Sequence, residues 1–184
     1  PPSEVPQGAI RFNTDSQKLE FYAQGEWWVM STDTPNLGTS GDSTPGVRGI
    51  FGGGESPSIV DTIDYINIAS TGDAVNFGDL SQARRNLAGA ADKSRGLFQG
   101  GYTPSNVDTV DFVTIASTGD ATDFGNLTES RSRTGGCNNP TRGIRAGGNP
   151  HTDTIDYCTI QSEGNYVDFG DLTAARFDLF WGPP

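Results

Sequence analysis

Hydrophobic residues fall along most of the chain in short runs cut by glycine, never in the long stripe of an amphipathic helix. Gly49 to Gly52 is a short apolar run stopped by glycines. From Thr62 to Ile68, apolar Ile63 and Tyr65 (or equally Ile66 and Ile68) are separated by Asp64 and Asn67. A period near two predicts a half-buried strand rather than a helix. Ser70-Thr71-Gly72-Asp73 reads as a turn, with glycine supplying the left-handed conformation. Ala74 to Leu80, carrying Val75 and Phe77, predicts the next strand. Ser81 to Arg84 leads away, and the small, Gly/Ala-rich stretch 85–93 predicts a last, closely packed strand.

This pattern is written three times. Arg48-Gly-Ile-Phe-Gly-Gly returns as Arg95-Gly-Leu-Phe-Gln-Gly-Gly and as Arg142-Gly-Ile-Arg-Ala-Gly-Gly, a spacing of 47 residues. A second block follows each: DTIDYINIASTGDAVNFGDLSQAR from Asp61, DTVDFVTIASTGDATDFGNLTESR from Asp108 and DTIDYCTIQSEGNYVDFGDLTAAR from Asp153. The third copy has lost two residues between its blocks. Repeats of this length are single supersecondary units that stack. They are placed at about 48–94, 95–141 and 142–184.

The first 31 residues differ. Ala9-Ile10-Arg11-Phe12, Lys18 to Tyr22 and Trp27 to Met30 form amphipathic strands separated by turns at 13–16 and at Gln24-Gly25. They predict a three-stranded meander over 1–31, marginal alone. The Ser/Thr/Gly/Asp/Pro-rich stretch 32–47 reads as a linker, leaving 48–184 as the repeat domain.

Four short strands in about 47 residues match one blade of a β-propeller. The repeats resemble kelch repeats: a Gly-Gly pair, then Tyr, an aromatic and Arg. These positions are Gly52-Gly53, Tyr65, Phe77 and Arg84 in the first copy; Gly100-Gly101, Phe112, Phe124 and Arg131 in the second; Gly147-Gly148, Tyr157, Phe169 and Arg176 in the third. Phe stands where kelch repeats usually have Trp. The resemblance implies an all-β fold of three four-stranded, blade-like repeats behind a small meander. Three blades cannot close a propeller, which typically has about 4–8. Two chains contributing three blades each, a longer array, or a closed threefold fold (β-trefoil or β-prism) are the alternatives. Arg176 to Trp181 reads as the start of another small strand element, which would begin a fourth blade or complete the first.

The N-terminal phrase GAIRFNTDSQKLEFYAQGEWWVM resembles a short module of tail fibres and other structural proteins of tailed bacteriophages. The match covers Gly8, Ile10 to Asp15, Leu19 to Tyr22 and Trp27 or Trp28. The repeat phrasing is also similar to arrays in phages of aquatic bacteria. Together the resemblances imply a virion location, a non-enzymatic role in assembly and host attachment, and other virion proteins as partners. The alternative is a glycan-binding propeller module acting as a receptor-binding adhesin on a host-surface glycan.

Composition narrows this further. The chain holds 25 Gly and 11 Pro against 33% apolar residues, a balance suited to many short strands. Its net charge of −11, with no Lys/Arg cluster, argues against nucleic acid and against an acidic membrane leaflet. No apolar run reaches the ~20 residues of a spanning helix, and no signal peptide is visible. A start at Pro1 without Met reads as processing or as a segment of a longer polypeptide. Cys137 and Cys158 fall on what read as neighbouring strands; a disulfide fits, and so do two small buried residues.

Chemistry is sparse. The single histidine, His151, lies in a loop that varies between copies, and no second imidazole is present to build a copper or zinc site. The paired carboxylates (Asp61/Asp64, Asp73/Asp79, Asp108/Asp111, Asp120/Asp123, Asp153/Asp156, Asp168/Asp171) recur with the repeat, as structural groups do. They are expected to cap turns or pair with the repeated arginines. Gly52-Gly53-Gly54 lacks the Lys and helix of a phosphate loop. No catalytic residue, cofactor or metal is therefore assigned. Structural roles go to Arg48, Gly52, Gly53, Arg84, Arg95, Gly100, Gly101, Arg131, Arg142, Gly147, Gly148 and Arg176, with Arg84, Arg131 and Arg176 expected in inter-blade salt bridges.

Candidate receptor-binding positions are the variable loops after each Gly-Gly: Ser56, Ser58, Tyr102, Ser105, Asn149 and His151. Variation on a constant scaffold is where binding usually sits. Open strand edges and an apolar meander predict a homo-oligomer. The fibre resemblance favours a trimer, while a dimer would close six blades.

Overall fold

The computed structural model describes residues 5–14, 18–29 and 47–179. The chain divides into two compact units, Pro1–Gly41 and Asp42–Pro184. All regular structure among the described residues is β, and no helix there is long and apolar enough to cross a membrane. The linker reading at 32–47 falls, Val47 apart, outside the described residues; of the strand element expected at 176–181, residues 176–179 form no strand, and 180–181 lie outside the described residues.

The first unit is the expected meander. Strands β1 (Ile10–Asn13), β2 (Lys18–Ala23) and β3 (Glu26–Val29) pair antiparallel in chain order. A two-residue turn at Gln24-Gly25, both with positive φ, matches the twist of the flanking strands. Opposite residues share a face, so Arg11, paired with Glu20, lies on the side of Tyr22 and Trp27. There Glu20 is 6% exposed and accepts from Asn13 Nδ2 (2.9 Å) and Arg11 Nε (2.8 Å). These hydrogen bonds, Asn13 first, hold its carboxyl below the usual range. Arg11 also lies 4.0 Å over the Trp27 ring, which meets Tyr22 edge-on. The opposite face shows Ile10, Phe12, Leu19 and Trp28 to solvent.

The second unit holds three sheets, one after another. The first comprises β4 (Arg48–Glu55), β5 (Ile59–Asn67) and β6 (Val75–Asp79). The second comprises β7 (Ala88–Ala91), β8 (Arg95–Tyr102), β9 (Asn106–Thr114) and β10 (Thr122–Asn126). The third comprises β11 (Gly135–Asn138), β12 (Arg142–Ala146), β13 (Thr154–Thr159) and β14 (Val167–Asp171). Within each, neighbours in sequence are neighbours in space.

Each full repeat thus has four strands, but its sheet is cut differently from the sequence repeat. The small strand expected to complete the first repeat, β7, pairs with β8 of the second. A tight turn decides this: Asp92 Oδ1 accepts from the backbone N–H of Ser94 and Arg95, both at 2.8 Å. Asn139 does the same for Thr141 and Arg142 in the next copy. An Asx turn starting three residues before Arg95 and Arg142 is a hairpin signal. Small side chains matter on these strands, since a Cβ at Gly136 would lie 3.1 Å from the Gly89 carbonyl oxygen.

A second difference concerns the Gly-Gly pair. Pairing of β4 with β5 slips between Gly52 and Gly54, where Gly53 (φ +69) and Gly54 (φ +118) form a bulge. Gly100-Gly101 and Gly147-Gly148 have the same positive angles. The structural equivalent in the first copy is therefore Gly53-Gly54, one position later than Gly52-Gly53, and Gly52 corresponds to Gln99. A Cβ at Gly53 would also strike the Arg84 carbonyl at 2.4 Å.

Two hydrophobic cores lie between successive sheets. Ile63, Phe77, Leu80, Phe98 and Val113 fill the first junction. Ala90, Leu97, Val110, Phe124, Leu127, Cys158, Ile160 and Tyr166 fill the second. Edge-on pairs Tyr65–Phe77 and Phe112–Phe124 repeat at 5.8 and 6.0 Å. Cys137 and Cys158 are free thiols on β11 and β13, so β12 separates them rather than their strands being neighbours. Burial pushes the Cys158 thiol pKa up.

Backbone bonds also cross each junction. Gly119 N–H donates to Phe77 O (2.7 Å) and Ala121 N–H to Asp79 O (2.8 Å); Gly164 and Tyr166 repeat this on Phe124 and Asn126. Gly78 and Gly125 allow the approach, since a Cβ at Gly125 would lie 2.5 Å from the Gly164 carbonyl oxygen. Gly125→Ala is therefore expected to destabilise the unit by about 2 kcal/mol or more. Gly89→Ala, whose new Cβ meets nothing closer than 3.8 Å, should cost less than about 1 kcal/mol. Denaturant unfolding of the two variants checks the contrast.

Candidate functional site

Each loop proposed for binding joins the long first strand of its repeat to the next: 56–58 between β4 and β5, 103–105 between β8 and β9, and 147–153 between β12 and β13. They occupy equivalent places on successive sheets and so line one rim. Ser56, Ser58, Ser105, Asn149 and His151 are exposed, and Tyr102 is half-buried.

The loops are tied laterally by residues that the sequence pattern does not single out. Arg85 ion-pairs with Glu55, lies 5.2 Å over the Tyr102 ring and exchanges two backbone hydrogen bonds with Tyr102. Ser132 and Asn149 exchange the same pair of backbone bonds, at 3.1 and 2.8 Å. Asn106 joins both, donating to Asn149 O (2.8 Å) and accepting from Ser132 Oγ (2.8 Å). His151 stands edge-on to Phe177 at 4.5 Å. Arg85, Ser132 and Phe177 each follow the repeated Arg, so a varying residue directly after a constant one was the signal for this part of the rim.

Beneath the rim, the repeated arginines reach the next sheet. Arg84 Nη2 meets Asp111 Oδ2 at 2.9 Å, and Arg131 ion-pairs with Asp156; all four side chains are fully buried. Asp111 also accepts from Ser81 N–H (3.0 Å) and Oγ (2.8 Å), and Asp156 from Thr128 N–H (3.1 Å) and Oγ1 (2.7 Å). The expected salt bridge from a repeated Arg to a repeated Asp is thus present at both junctions between sheets. Burial lowers the Arg84 pKa, and Asp111 opposes the shift. Arg176 is exposed.

The second junction carries a further cation. Arg145 occupies the position of Phe98 in the preceding sheet and is fully buried. It donates to the Gln99 and Arg131 carbonyls. Burial, then the neighbouring Arg131 charge, pulls its pKa down. The buried Gln99 amide stands where the first junction has Gly52, above which the Phe98 ring sits. Gly52/Phe98 at one junction is replaced by Gln99/Arg145 at the next.

The rim offers hydrogen-bonding amides and hydroxyls beside a cation-capped tyrosine and a histidine–phenylalanine pair, groups suited to a polar ligand with a stacking face. The partner of His151 is an aromatic ring, whereas a nucleophilic triad requires a carboxylate behind the imidazole. No cluster of three or more potential metal ligands occurs among the described residues. Several paired carboxylates have structural partners: Asp111 and Asp156 take arginines, and Asp120 Oδ1 accepts from the Asp79 N–H (3.1 Å). Searches of protein-family models and of curated proteins find no match to this chain.

Copying the first junction into the second tests the buried network. Gln99→Gly with Arg145→Phe should stabilise the domain by about 1 kcal/mol or more, because a desolvated cation held by carbonyl oxygens is exchanged for a packed ring. Arg145→Phe alone should destabilise it, since the ring meets the Gln99 side chain. Thermal unfolding of the two singles and the double reads the coupling.

Proposed function

We propose that this chain is a non-enzymatic virion structural protein, a tail fibre or other surface appendage of a tailed phage acting in assembly and host attachment. In this reading the meander joins other virion proteins, and the three repeats are propeller blades that present the loop rim outward. The observation that carries it is the division of labour in the repeat. Buried Arg–Asp junctions are constant from sheet to sheet, while the loops above them change. A rigid frame with variable loops is how binding surfaces are commonly built. The fibre-like phrase at 8–30 supplies the virion context.

The second reading, a glycan-binding module acting as a receptor-binding adhesin, is favoured by Tyr102 beneath Arg85 and by His151 against Phe177. Aromatic faces next to amides and hydroxyls are the usual furniture of a sugar site.

Antibodies against the chain are expected to label an appendage in electron micrographs of tailed particles and to block adsorption. On an array of bacterial surface glycans, Tyr102→Ala and His151→Ala should each weaken any signal about tenfold, the scale of one lost stacking contact. Their melting temperatures should change little. Release of reducing sugar from any polysaccharide would replace both readings with an enzymatic one.

A further inference from the structure

Among the described residues, the first and third sheets each leave one junction face exposed, and the two faces are complementary. At the end of the array, Arg176 holds the backbone position of Arg84 and Arg131. Its carbonyl accepts from Gly148 N–H at 2.9 Å, as Arg84 O does from Gly54 (2.9 Å) and Arg131 O from Gly101 (3.1 Å). Its side chain is exposed, although its two counterparts are fully buried. Phe169, equivalent to Phe77 and Phe124 at 2% exposure each, is 52% exposed.

The first sheet shows the opposite half. Asp64 lies opposite Phe51 across the β4–β5 ladder, as Asp111 lies opposite Phe98 and Asp156 opposite Arg145. Asp111 and Asp156 are fully buried against the preceding sheet's arginine, whereas Asp64 is half-buried. Phe98 is 6% exposed within a junction; its equivalent Phe51 is 60% exposed.

A second series of contacts ends the same way. Arg48 donates to Ile115 O (2.8 Å) and Arg95 to Ile160 O (3.3 Å), each reaching into the next sheet. Each also lies over an aromatic ring of its own sheet, as Arg142 lies over Tyr157. Arg142 is the next donor in that series, and Ile68, in the first sheet, is the matching acceptor position. Gly170 repeats the left-handed φ of Gly78 and Gly125 (+138 against +153 and +140), but nothing lies within 4 Å of the place its Cβ would take.

We propose that the end face of one chain, built on Arg176, Phe169 and Arg142, receives the first-sheet face of a second copy, built on Asp64, Phe51 and Ile68. Each junction repeats the Arg84–Asp111 geometry between chains, with Thr173 in the role of Ser81. The contact is heterologous, so it forms a ring only if the rotation closes. The described residues of the repeat unit hold three sheets, and six is the multiple of three within the usual propeller range of about 4–8. Two copies therefore close the ring through two identical junctions, rather than the threefold assembly that the fibre resemblance implies. The inference rests on the two end faces and not on the appendage reading.

Sedimentation of the purified chain tests it, with a species of twice 19.5 kDa expected. Arg176→Ala and Asp64→Ala each leave a buried charge unpaired at both junctions. Each is expected to weaken dimerisation about a hundredfold or more. Phe169→Glu, at a half-exposed position in the single chain, should dissociate the pair while leaving the monomer's circular dichroism intact. The deciding step mixes the two alanine variants. A mixed pair has one junction lacking both charges and one junction complete, so it should form more tightly than either variant alone. A wild-type chain that remains monomeric at about 100 μM, well above the micromolar range expected of such interfaces, overturns the proposal. So does a trimer or open polymer, a dimer indifferent to all three substitutions, or a mixture no tighter than its components.

Discussion

Arg84 and Asp111 meet 2.9 Å apart with both side chains shut off from water, and Arg131 and Asp156 repeat the contact one sheet later. The desolvation of such a pair is offset by its attraction at fixed geometry and by the further hydrogen bonds its groups make. Ser81 and Thr128 take up the carboxylate oxygens, and the Phe98 carbonyl accepts from Arg84. Because each pair runs from the end of one repeat to the second strand of the next, it fixes the spacing and rotation between sheets. The apolar cores alone, being non-directional, would permit sliding.

The remaining features follow from that spacing. Sheets held this close bring the turn of one against the outer strand of another, so Gly78 and Gly125 have no room for a side chain. They also bring Gly136 against Gly89 on the inner strands. The loops after each glycine bulge are lifted to one rim, where their sequence can vary without touching the pairs beneath. Scaffold and variable loops are thereby separated in space, although they alternate within every 47 residues of sequence.

Much of this was legible beforehand. The repeat, the all-β class, the N-terminal meander and the Arg–Asp pairing could be read from residues 61–84 and their copies, because period-two alternation and glycine punctuation act locally. The sheet boundaries could not be read in the same way. A periodic sequence has no intrinsic starting point, and the small strand at 88–91 was counted with the repeat before it. The Asx turn at Asp92 is the local signal that assigns this strand to the following sheet. The bulge at Gly53-Gly54 was misplaced by one residue because three consecutive glycines allow either alignment, and only backbone angles distinguish them.

Residue chemistry by itself determined that this chain makes short strands in three equivalent units, that its acids recur as structural partners, and that His151 lacks a second imidazole. Those conclusions depend on composition and local pattern. Tertiary structure decided which face of each sheet meets the next. It decided that Arg145 and Gln99 occupy a junction where the preceding one has an aromatic ring over glycine, and that Arg85, Ser132 and Phe177 belong to the loop rim. These facts depend on contacts between residues tens of positions apart. The energy of such a contact depends on burial and distance, neither of which the order of residues alone expresses.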